Sequence, residues 1–361
     1  MTDLFMIYPP WPVLDDRAML QNCLPPLGIL SIASYIESLG YKVHVMDIHA
    51  ERENDIALRK RLRMHQPRYI GITILTNMSI PAHKIAKICK EELPNCILVA
   101  GGVHAEAVPE RILRNSAFDC VVRGDGEEAM REIIEGKRFS DINGLSYLEG
   151  TTVTNNSPRS LEMNLDRFPF PAYDMVDFSN YFPPVGSYRH LPAINMLMTR
   201  GCPGKCVFCN SARTTLRARD SKMVVNQIRH LNQTYGIRQI MFYDDTFTVL
   251  KKTCLDFCKH LEKANLNVSW VAYIRGDCFS DELASAMKKS GCHQVLMGIE
   301  TGSDMIAKRI GKPIDREKYR KAVKIAHDHG IEVRGSFIIG NMDETWETMN
   351  ESLNFAIELD L

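Results

Sequence analysis

The chain has 361 residues, of which 45% are hydrophobic and 24% are charged, a composition typical of a globular protein with two or three domains. Lys and Arg together number 44, as do Asp and Glu, so the basic excess of a general nucleic-acid-binding protein is absent. No apolar run is long enough to span a membrane, and the N-terminus lacks the features of a signal peptide, so we expect a cytoplasmic protein.

Short apolar segments alternate with amphipathic segments through residues 1–138. The predicted strands are 4–8, 42–48, 69–75, 96–101 and 119–123, and the predicted helices are 27–39, 51–64, 81–93, 109–115 and 127–135. Because the strands are almost entirely apolar and alternate with helices, a parallel sheet covered on both faces is indicated. The pattern predicts an α/β, flavodoxin-like, doubly wound domain, in which ligands bind at the carboxyl ends of the strands.

Small residues follow three of these predicted strands. Residues 73–75 close the third strand, residues 101–103 close the fourth with a Gly-Gly pair, and Gly124 follows the fifth. Glycine lets a large ligand approach the backbone closely, so this edge is a candidate binding site. The alternative interpretation is that the Gly-Gly pair only makes a tight turn between strand and helix.

Residues 139–192 interrupt the alternation. Residues 144–149 and 151–154 predict a β-hairpin that turns near Gly150. Prolines and aromatic side chains follow it, as in Phe168-Pro169-Phe170-Pro171. We therefore expect a hairpin and an extended connector between two domains, held by burial of its rings.

A second alternating series occupies residues 193–361. The predicted strands are 194–199, 239–243, 268–274, 294–299 and 333–339, and the predicted helices are 222–235, 251–264, 281–290, 315–329 and 344–359. The first of these strands leads directly into a loop that carries three cysteines, which singles out the carboxyl edge of this second sheet.

The three cysteines of that loop, Cys202, Cys206 and Cys209, are the only tight group among the eleven in the chain. An odd number of cysteines without a signal peptide argues against a disulfide framework. Three thiolates are one short of a structural zinc site, but they suit three irons of a [4Fe–4S] cluster and leave the fourth iron open. The competing interpretation is a chance group of buried thiols, and the Gly and Pro residues around the three cysteines disfavour it. Cys254 and Cys258, in contrast, lie on a predicted amphipathic helix, and we expect their thiols to be buried.

A Cys-x3-Cys-x2-Cys loop after the first strand is the signature of the radical S-adenosylmethionine (SAM) enzymes, which this half of the chain resembles. The resemblance implies a (β/α)6 barrel, of which about five strands precede the last residue, so we expect a partial barrel or a truncated chain. It also implies that the open iron binds SAM, and that one electron then cleaves the sulfonium to give a 5′-deoxyadenosyl radical.

Residues at successive strand ends match the segments that contact SAM in that family. Phe208 stands where the family has an aromatic side chain beside the adenine. The resemblance assigns the methionine amine to Asp244 and Asp245, and the methionine carboxylate to Arg275. The remaining implied contacts are Glu300 for the ribose or methionine and Ser336 for the adenine.

The first half resembles the cobalamin-binding domain of the B12-binding radical SAM enzymes. Its Thr-x-Leu and Gly-Gly segments match, as does a Pro-Pro-Leu-Gly entry to the first helix. A glycine in that entry stands where another cobalamin-binding family has a cobalt-ligating histidine, so the resemblance implies cobalamin with a buried tail and no protein histidine on cobalt. The predicted cobalamin contacts are Gly28, Thr73, Leu75, Gly101, Gly102, Val103 and Gly124.

The two resemblances together imply an enzyme with three cofactors: a [4Fe–4S] cluster, SAM and cobalamin. They favour methylation of an unactivated carbon, with methylcobalamin as methyl donor and the 5′-deoxyadenosyl radical abstracting hydrogen. A radical cyclase or rearrangement enzyme of the same architecture is the alternative, and a cobalamin sensor is a weaker one because the three cysteines are intact. The expected partners are a small-molecule substrate and an electron donor such as flavodoxin or ferredoxin. We expect no binding to nucleic acid and no membrane span.

Overall fold

The structure, a computed structural model, describes residues 2–11, 23–312 and 314–361. The chain forms two compact units. The first unit comprises Met1–Met163 and Arg167–Phe182, and the second comprises Asn164–Asp166 and Pro183–Leu361. The connector predicted for residues 139–192 is therefore shared between the two units, and no described helix has the length and apolar character needed to cross a membrane.

The first unit contains a mixed sheet with helices between its strands. Its strands are β1 (Leu4–Tyr8), β2 (Val43–Asp47), β3 (Tyr69–Thr73), β4 (Ile97–Gly101), β5 (Cys120–Val122), β6 (Leu145–Glu149) and β7 (Thr152–Asn155). Its helices are α1 (Leu27–Ser38), α2 (Ile48–Glu51), α3 (Asp55–His65), α4 (Ser79–Glu92), α5 (Val103–Ala107), α6 (Pro109–Asn115) and α7 (Glu127–Ile134).

The strand order β2-β1-β3-β4-β5-β6-β7 confirms the flavodoxin-like prediction for the first five strands, which pair in parallel. The predicted hairpin forms, but it extends this sheet instead of standing apart in the connector. β6 pairs antiparallel with β5, and its Leu145 and Tyr147 are buried. The strand order reverses between β1 and β3, and in doubly wound sheets the ligand crevice lies at such a reversal.

The second unit contains a separate sheet and its own helices. Its strands are β8 (Ala193–Met196), β9 (Thr199–Arg200), β10 (Arg217–Ala218), β11 (Gln239–Phe242), β12 (Ser269–Ile274), β13 (Cys292–Glu300) and β14 (Glu332–Phe337). Its helices are α8 (Ser221–Tyr235), α9 (Lys251–Ala264), α10 (Asp281–Lys289), α11 (Asp304–Arg309), α12 (Arg316–Asp328) and α13 (Trp346–Glu358).

Five of these strands form a parallel sheet in the order β14-β13-β12-β11-β8, which agrees with the predicted partial barrel. Phe242 and Trp270 on the sheet pack edge to face with Phe257 of α9, at centroid distances of 5.1 and 5.6 Å. The predicted strand 194–199 ends early, and residues 199–200 turn away to pair with β10. The chain therefore leaves the main sheet immediately before the cysteine loop.

Candidate active site

The cysteine loop begins after β9 and is held by backbone hydrogen bonds to residues 213 and 214. The Cys202 N–H donates to Thr214 Oγ1 (2.8 Å), and the Thr214 N–H donates to the Cys202 carbonyl (3.0 Å). The Arg213 N–H donates to the Gly204 carbonyl (2.7 Å). Gly201 has a φ of +97°, a backbone conformation that favours glycine. These contacts hold the three cysteines on one short, closed loop.

The thiols of Cys202, Cys206 and Cys209 are half-buried, unlike the thiols of Cys254 and Cys258, which are fully buried as predicted. A Cβ on Gly204 would lie 3.2 Å from Cys202 Sγ and 4.0 Å from Cys206 Sγ, so the absence of a side chain keeps the space between these sulfurs free.

This arrangement fits a cluster better than a single ion. Among the described residues, no three His, Cys, Asp or Glu side chains converge on one metal-ion position. Thiolates that bind different irons of a [4Fe–4S] cluster do not need to converge, and three open thiols on a glycine-containing loop suit that role.

Lys312 lies beside the loop in a position that the sequence analysis did not identify. Its Nζ donates to Glu300 Oε1 (2.8 Å) and to the Gly298 carbonyl (2.6 Å), and both charged side chains are only about one-tenth exposed. The ammonium of Lys312 opposes the effect of burial, which raises the pKa of Cys206. A Cβ on Gly298 would lie 2.8 Å from Lys312 Nζ, so a side chain at this position would displace the ion pair from its present geometry.

A short segment before Lys312 holds the cysteine loop at the end of β13. The Val207 N–H donates to the Ile310 carbonyl (3.0 Å), and Gly311 approaches so closely that a Cβ there would lie 2.7 Å from the Lys205 carbonyl oxygen. This segment follows α11, a helix of six residues that the sequence pattern did not indicate. Lys312 was missed for that reason, although it follows the predicted Glu300 by only twelve residues.

Arg275 also lies close to the loop. Its guanidinium binds the Asp277 carboxylate through Nε (3.0 Å) and Nη2 (2.7 Å). Its Nη1 would lie 3.5 Å from a Cβ on Gly204, so one edge of the guanidinium faces the loop. Phe208, at 47% exposed, Asp245 and Ser336 are accessible to solvent.

Asp244 has a different role from the one predicted. Its side chain is fully buried and accepts hydrogen bonds from the Met198 N–H (3.1 Å) and Thr199 Oγ1 (2.6 Å), as well as from the Thr199 N–H. Burial raises the pKa of Asp244 to about 7 despite these donors. The predicted contact of Asp244 with SAM does not fit this geometry, because its oxygens bind the chain that leads into the cysteine loop.

The glycine-rich edge of the first unit is formed by β3, β4 and the turn after β4. Thr73 pairs with Gly101, and the Ile74 N–H donates to the Gly101 carbonyl (2.8 Å). No described atom lies within 4 Å of a Cβ position on Gly28, Gly101 or Gly124. These open positions, together with half-buried Leu75 and exposed Val103, leave room for a bulky ligand, as cobalamin would require.

Gly102 differs from those three glycines. Its φ is +88°, and a Cβ there would lie 2.7 Å from Thr73 Oγ1 and 2.9 Å from the Ile74 carbonyl oxygen. Gly102 is therefore required by the protein's own backbone, which is the turn interpretation of the Gly-Gly pair. The space that a ligand can use lies at Gly101.

Two histidines near this edge already have partners. His49 is buried, its ring stacks on Trp11 at a centroid distance of 5.9 Å, and burial lowers its pKa. The Nδ1 of His104 lies 3.2 Å from Thr76 Oγ1. These contacts suit structural roles for both rings.

The profile of the radical SAM superfamily matches residues 196–356, and that of the B12 binding domain matches residues 15–134. An uncharacterized methyltransferase of Pyrococcus horikoshii is 36% identical over 345 residues, which cover 93% of this chain and 74% of that protein. An anaerobic magnesium-protoporphyrin IX monomethyl ester cyclase of Rubrivivax gelatinosus is 27% identical, over 92% of this chain and 62% of the cyclase.

The solved structure of the cobalamin-dependent SAM radical enzyme OxsB with aqua-cobalamin has the same fold, with a TM-score of 0.83 at 18% identity. It covers 98% of this chain, which in turn spans 52% of OxsB. Three findings indicate the same family: the order of the two matched domains, the cysteine loop and the likeness to the Pyrococcus protein. The chain belongs to the B12-binding radical SAM enzymes, a family that uses a [4Fe–4S] cluster, SAM and cobalamin.

Proposed function

We propose that this protein methylates an unactivated carbon of a small molecule. The observation that carries the proposal is the half-buried three-cysteine loop beside the Glu300–Lys312 pair, in a chain whose other unit has an open glycine edge. The likeness at 36% identity to a protein named as a methyltransferase supports methyl transfer over other radical chemistry.

In this proposal Cys202, Cys206 and Cys209 bind the cluster, and charged groups around the loop bind SAM. Lys312 and Arg275 offer N–H donors to the methionine carboxylate, and Glu300 and Asp245 offer oxygens to its ammonium. The exposed Phe208 and Ser336 contact the adenine. When bound, the cluster supplies the electron that cleaves SAM, and cobalamin supplies the methyl group.

The first unit holds cobalamin at the carboxyl ends of β3, β4 and β5. The contacts proposed for the corrinoid and its tail are Gly28, Thr73, Leu75, Gly101, Val103 and Gly124, and Gly102 shapes the turn beneath them. The His49 ring stacks on Trp11 and the Nδ1 of His104 lies beside Thr76 Oγ1, so we propose that no protein histidine binds cobalt. Electron paramagnetic resonance of the cob(II)alamin form tests this point, since a nitrogen splitting that disappears in His49→Ala would contradict it.

The decisive experiment is anaerobic reconstitution with the cluster and cobalamin, followed by product analysis with SAM and a reductant. Methyl transfer predicts that S-adenosylhomocysteine and 5′-deoxyadenosine form together. The likeness to a cyclase at 27% identity favours a radical cyclase as the second candidate. A cyclase would form 5′-deoxyadenosine without S-adenosylhomocysteine, and the absence of both would contradict the two proposals.

The proposed setting is the cytoplasm, where a reductant is available. A flavodoxin or ferredoxin would supply the electron, as in the resemblance described above. Replacing a chemical reductant with a purified flavodoxin and its reductase tests this partner, because product should form at a comparable rate.

A further inference from the structure

A row of side chains crosses the second sheet just below its carboxyl edge. Strand pairing aligns Tyr273 with Leu296 and Leu296 with Arg334, and Tyr243 directly follows the aligned pair of Phe242 and Ala272. Trp270 and Ile274 are buried, while Tyr273, which alternates with them along β12, is partly exposed. Tyr243, Tyr273 and Arg334 therefore share the sheet face opposite to that of Trp270.

Among the described residues, Arg334 is an unneutralised charge of this region. Three carboxylates of the second unit have their own cations: Glu332 binds Arg189 (2.7 Å), Glu300 binds Lys312 and Asp277 binds Arg275. Arg334 is exposed and, within the described residues, makes no hydrogen bond or ion pair. A guanidinium in this setting attracts an anion, which it binds through two parallel N–H donors.

The two tyrosines provide hydroxyl groups next to this cation. Their rings meet edge to face, with centroids 5.2 Å apart. Burial raises the pKa of both phenols, and the positive charge of Arg334, which shares this face of the sheet, acts on the pKa of both in the opposite direction. Neutral hydroxyls and a charged guanidinium together form a set of hydrogen-bond donors for an anion.

We propose that Arg334, with Tyr243 and Tyr273, binds an anionic group of the substrate, a carboxylate or a phosphate. The inference rests on the proposed function, because it assumes that the substrate lies on the sheet that carries the cysteine loop. The other source of a carboxylate at this face is the methionine part of SAM, and the experiment separates the two sources.

The first arm measures binding of inorganic phosphate to the reconstituted 361-residue chain by calorimetry at low ionic strength, where screening is weak. The wild type is expected to bind phosphate at one saturable site. Arg334→Gln should weaken this binding at least tenfold, because a charge-assisted pair of hydrogen bonds is lost. Arg334→Lys should retain part of the affinity, and Tyr273→Phe should lose a smaller factor.

Arg229→Gln on α8 is the matched control, since Arg229 hydrogen-bonds Asn226 on the same helix and lies outside the row of side chains. It should bind phosphate like the wild type. Equal phosphate affinity in Arg334→Gln and wild type, or no saturable binding in the wild type, would overturn the proposal. Far-UV circular dichroism checks that each variant is folded. If Arg334→Gln is unfolded, the phosphate affinity of Arg334→Lys decides whether Arg334 binds the anion.

The second arm measures SAM affinity in the same variants. Unchanged SAM affinity in Arg334→Gln is expected if the anion belongs to the substrate. A tenfold loss of SAM affinity, with phosphate competing against SAM, would assign the site to the carboxylate of SAM. It would overturn the proposal that the bound anion belongs to the substrate. Phosphate binding needs no turnover, so loss of binding in Arg334→Gln would support the anion site even if no S-adenosylhomocysteine forms and the proposed function fails.

Discussion

The two sheets present their carboxyl edges to ligands in different ways. At the edge of the first sheet, glycines leave open space at positions 101 and 124. At the edge of the second sheet, three thiols stand beside two ion pairs, Glu300 with Lys312 and Arg275 with Asp277. A bulky corrinoid needs room, whereas a cluster and a zwitterionic cosubstrate need ligands and charges in fixed positions.

The largest expected effect lies at the second edge. Replacing Cys202, Cys206 or Cys209 with Ala should abolish the cluster, because in the proposed site each thiolate would bind its own iron. Iron content and 5′-deoxyadenosine formation after anaerobic reconstitution measure the loss. Cys278→Ala is the matched control, since Cys278 is also half-buried but lies outside the loop, and it should retain full iron. A full cluster in any of the three loop variants would refute the assignment.

Two neighbouring glycines test the first edge. Gly102→Ala should lower the free energy of unfolding by about 3 kcal/mol, because alanine is strained at a φ of +88° and its Cβ overlaps Thr73 and Ile74. Gly101 has open space, so Gly101→Ala should fold normally and Gly101→Leu should fold but bind cobalamin weakly. Urea unfolding and corrinoid absorbance separate the two effects. Normal cobalamin binding by folded Gly101→Leu would place the corrinoid elsewhere.

The ion pair at the second edge should matter less than the cysteines. Lys312→Met should weaken SAM binding by roughly ten- to a hundredfold, about 1.5–3 kcal/mol, because a charge-assisted hydrogen bond is lost. Lys318→Met is the control, since Lys318 is exposed and lies 3.6 Å from Asp315. Equilibrium binding to the reconstituted proteins measures the difference. Equal affinity in both variants would remove Lys312 from the proposed SAM site.

The sequence could predict the regular elements of both sheets and the cysteine loop better than the other side chains at the sheet edges. Apolar strands and amphipathic helices follow simple periodicities, so nearly all elements of both sheets were predicted, with ends wrong by a few residues. The cysteines could also be found, because their spacing is local in the chain. Helix α11 was missed because it is only six residues long, and Lys312, which follows it, was missed with it.

Side-chain direction was the harder problem. Asp244 and Asp245 are adjacent, yet one is fully buried under backbone donors and the other is exposed. Gly101 and Gly102 are adjacent as well, yet only Gly102 is constrained by its own backbone. Neighbouring residues at a strand end point in different directions, so the pattern located the edge without indicating which member faces the ligand.

The smallest expected effect concerns two histidines of the first unit. His44 on β2 stacks on His65 at the end of α3, with ring centroids 4.0 Å apart. Burial, with His65 and Arg61 nearby, lowers the pKa of His44 to about 4, from 6.5. The folded state keeps His44 neutral while the unfolded chain takes up a proton below pH 6.5. The stability of the unit should therefore fall as the pH decreases from 6.5 to 4.

His44→Phe keeps a ring beside His65 and removes this titration. Between pH 8 and pH 5 the free energy of unfolding should decrease in the wild type more than in the variant. The two decreases should differ by roughly 1–2 kcal/mol. Asp47, whose pKa burial raises to about 6, acts with the opposite sign in the same unit, but its contribution is common to both proteins and cancels. Urea unfolding at several pH values measures the difference, and parallel pH profiles for the two proteins would show that the stacked histidine is not the source.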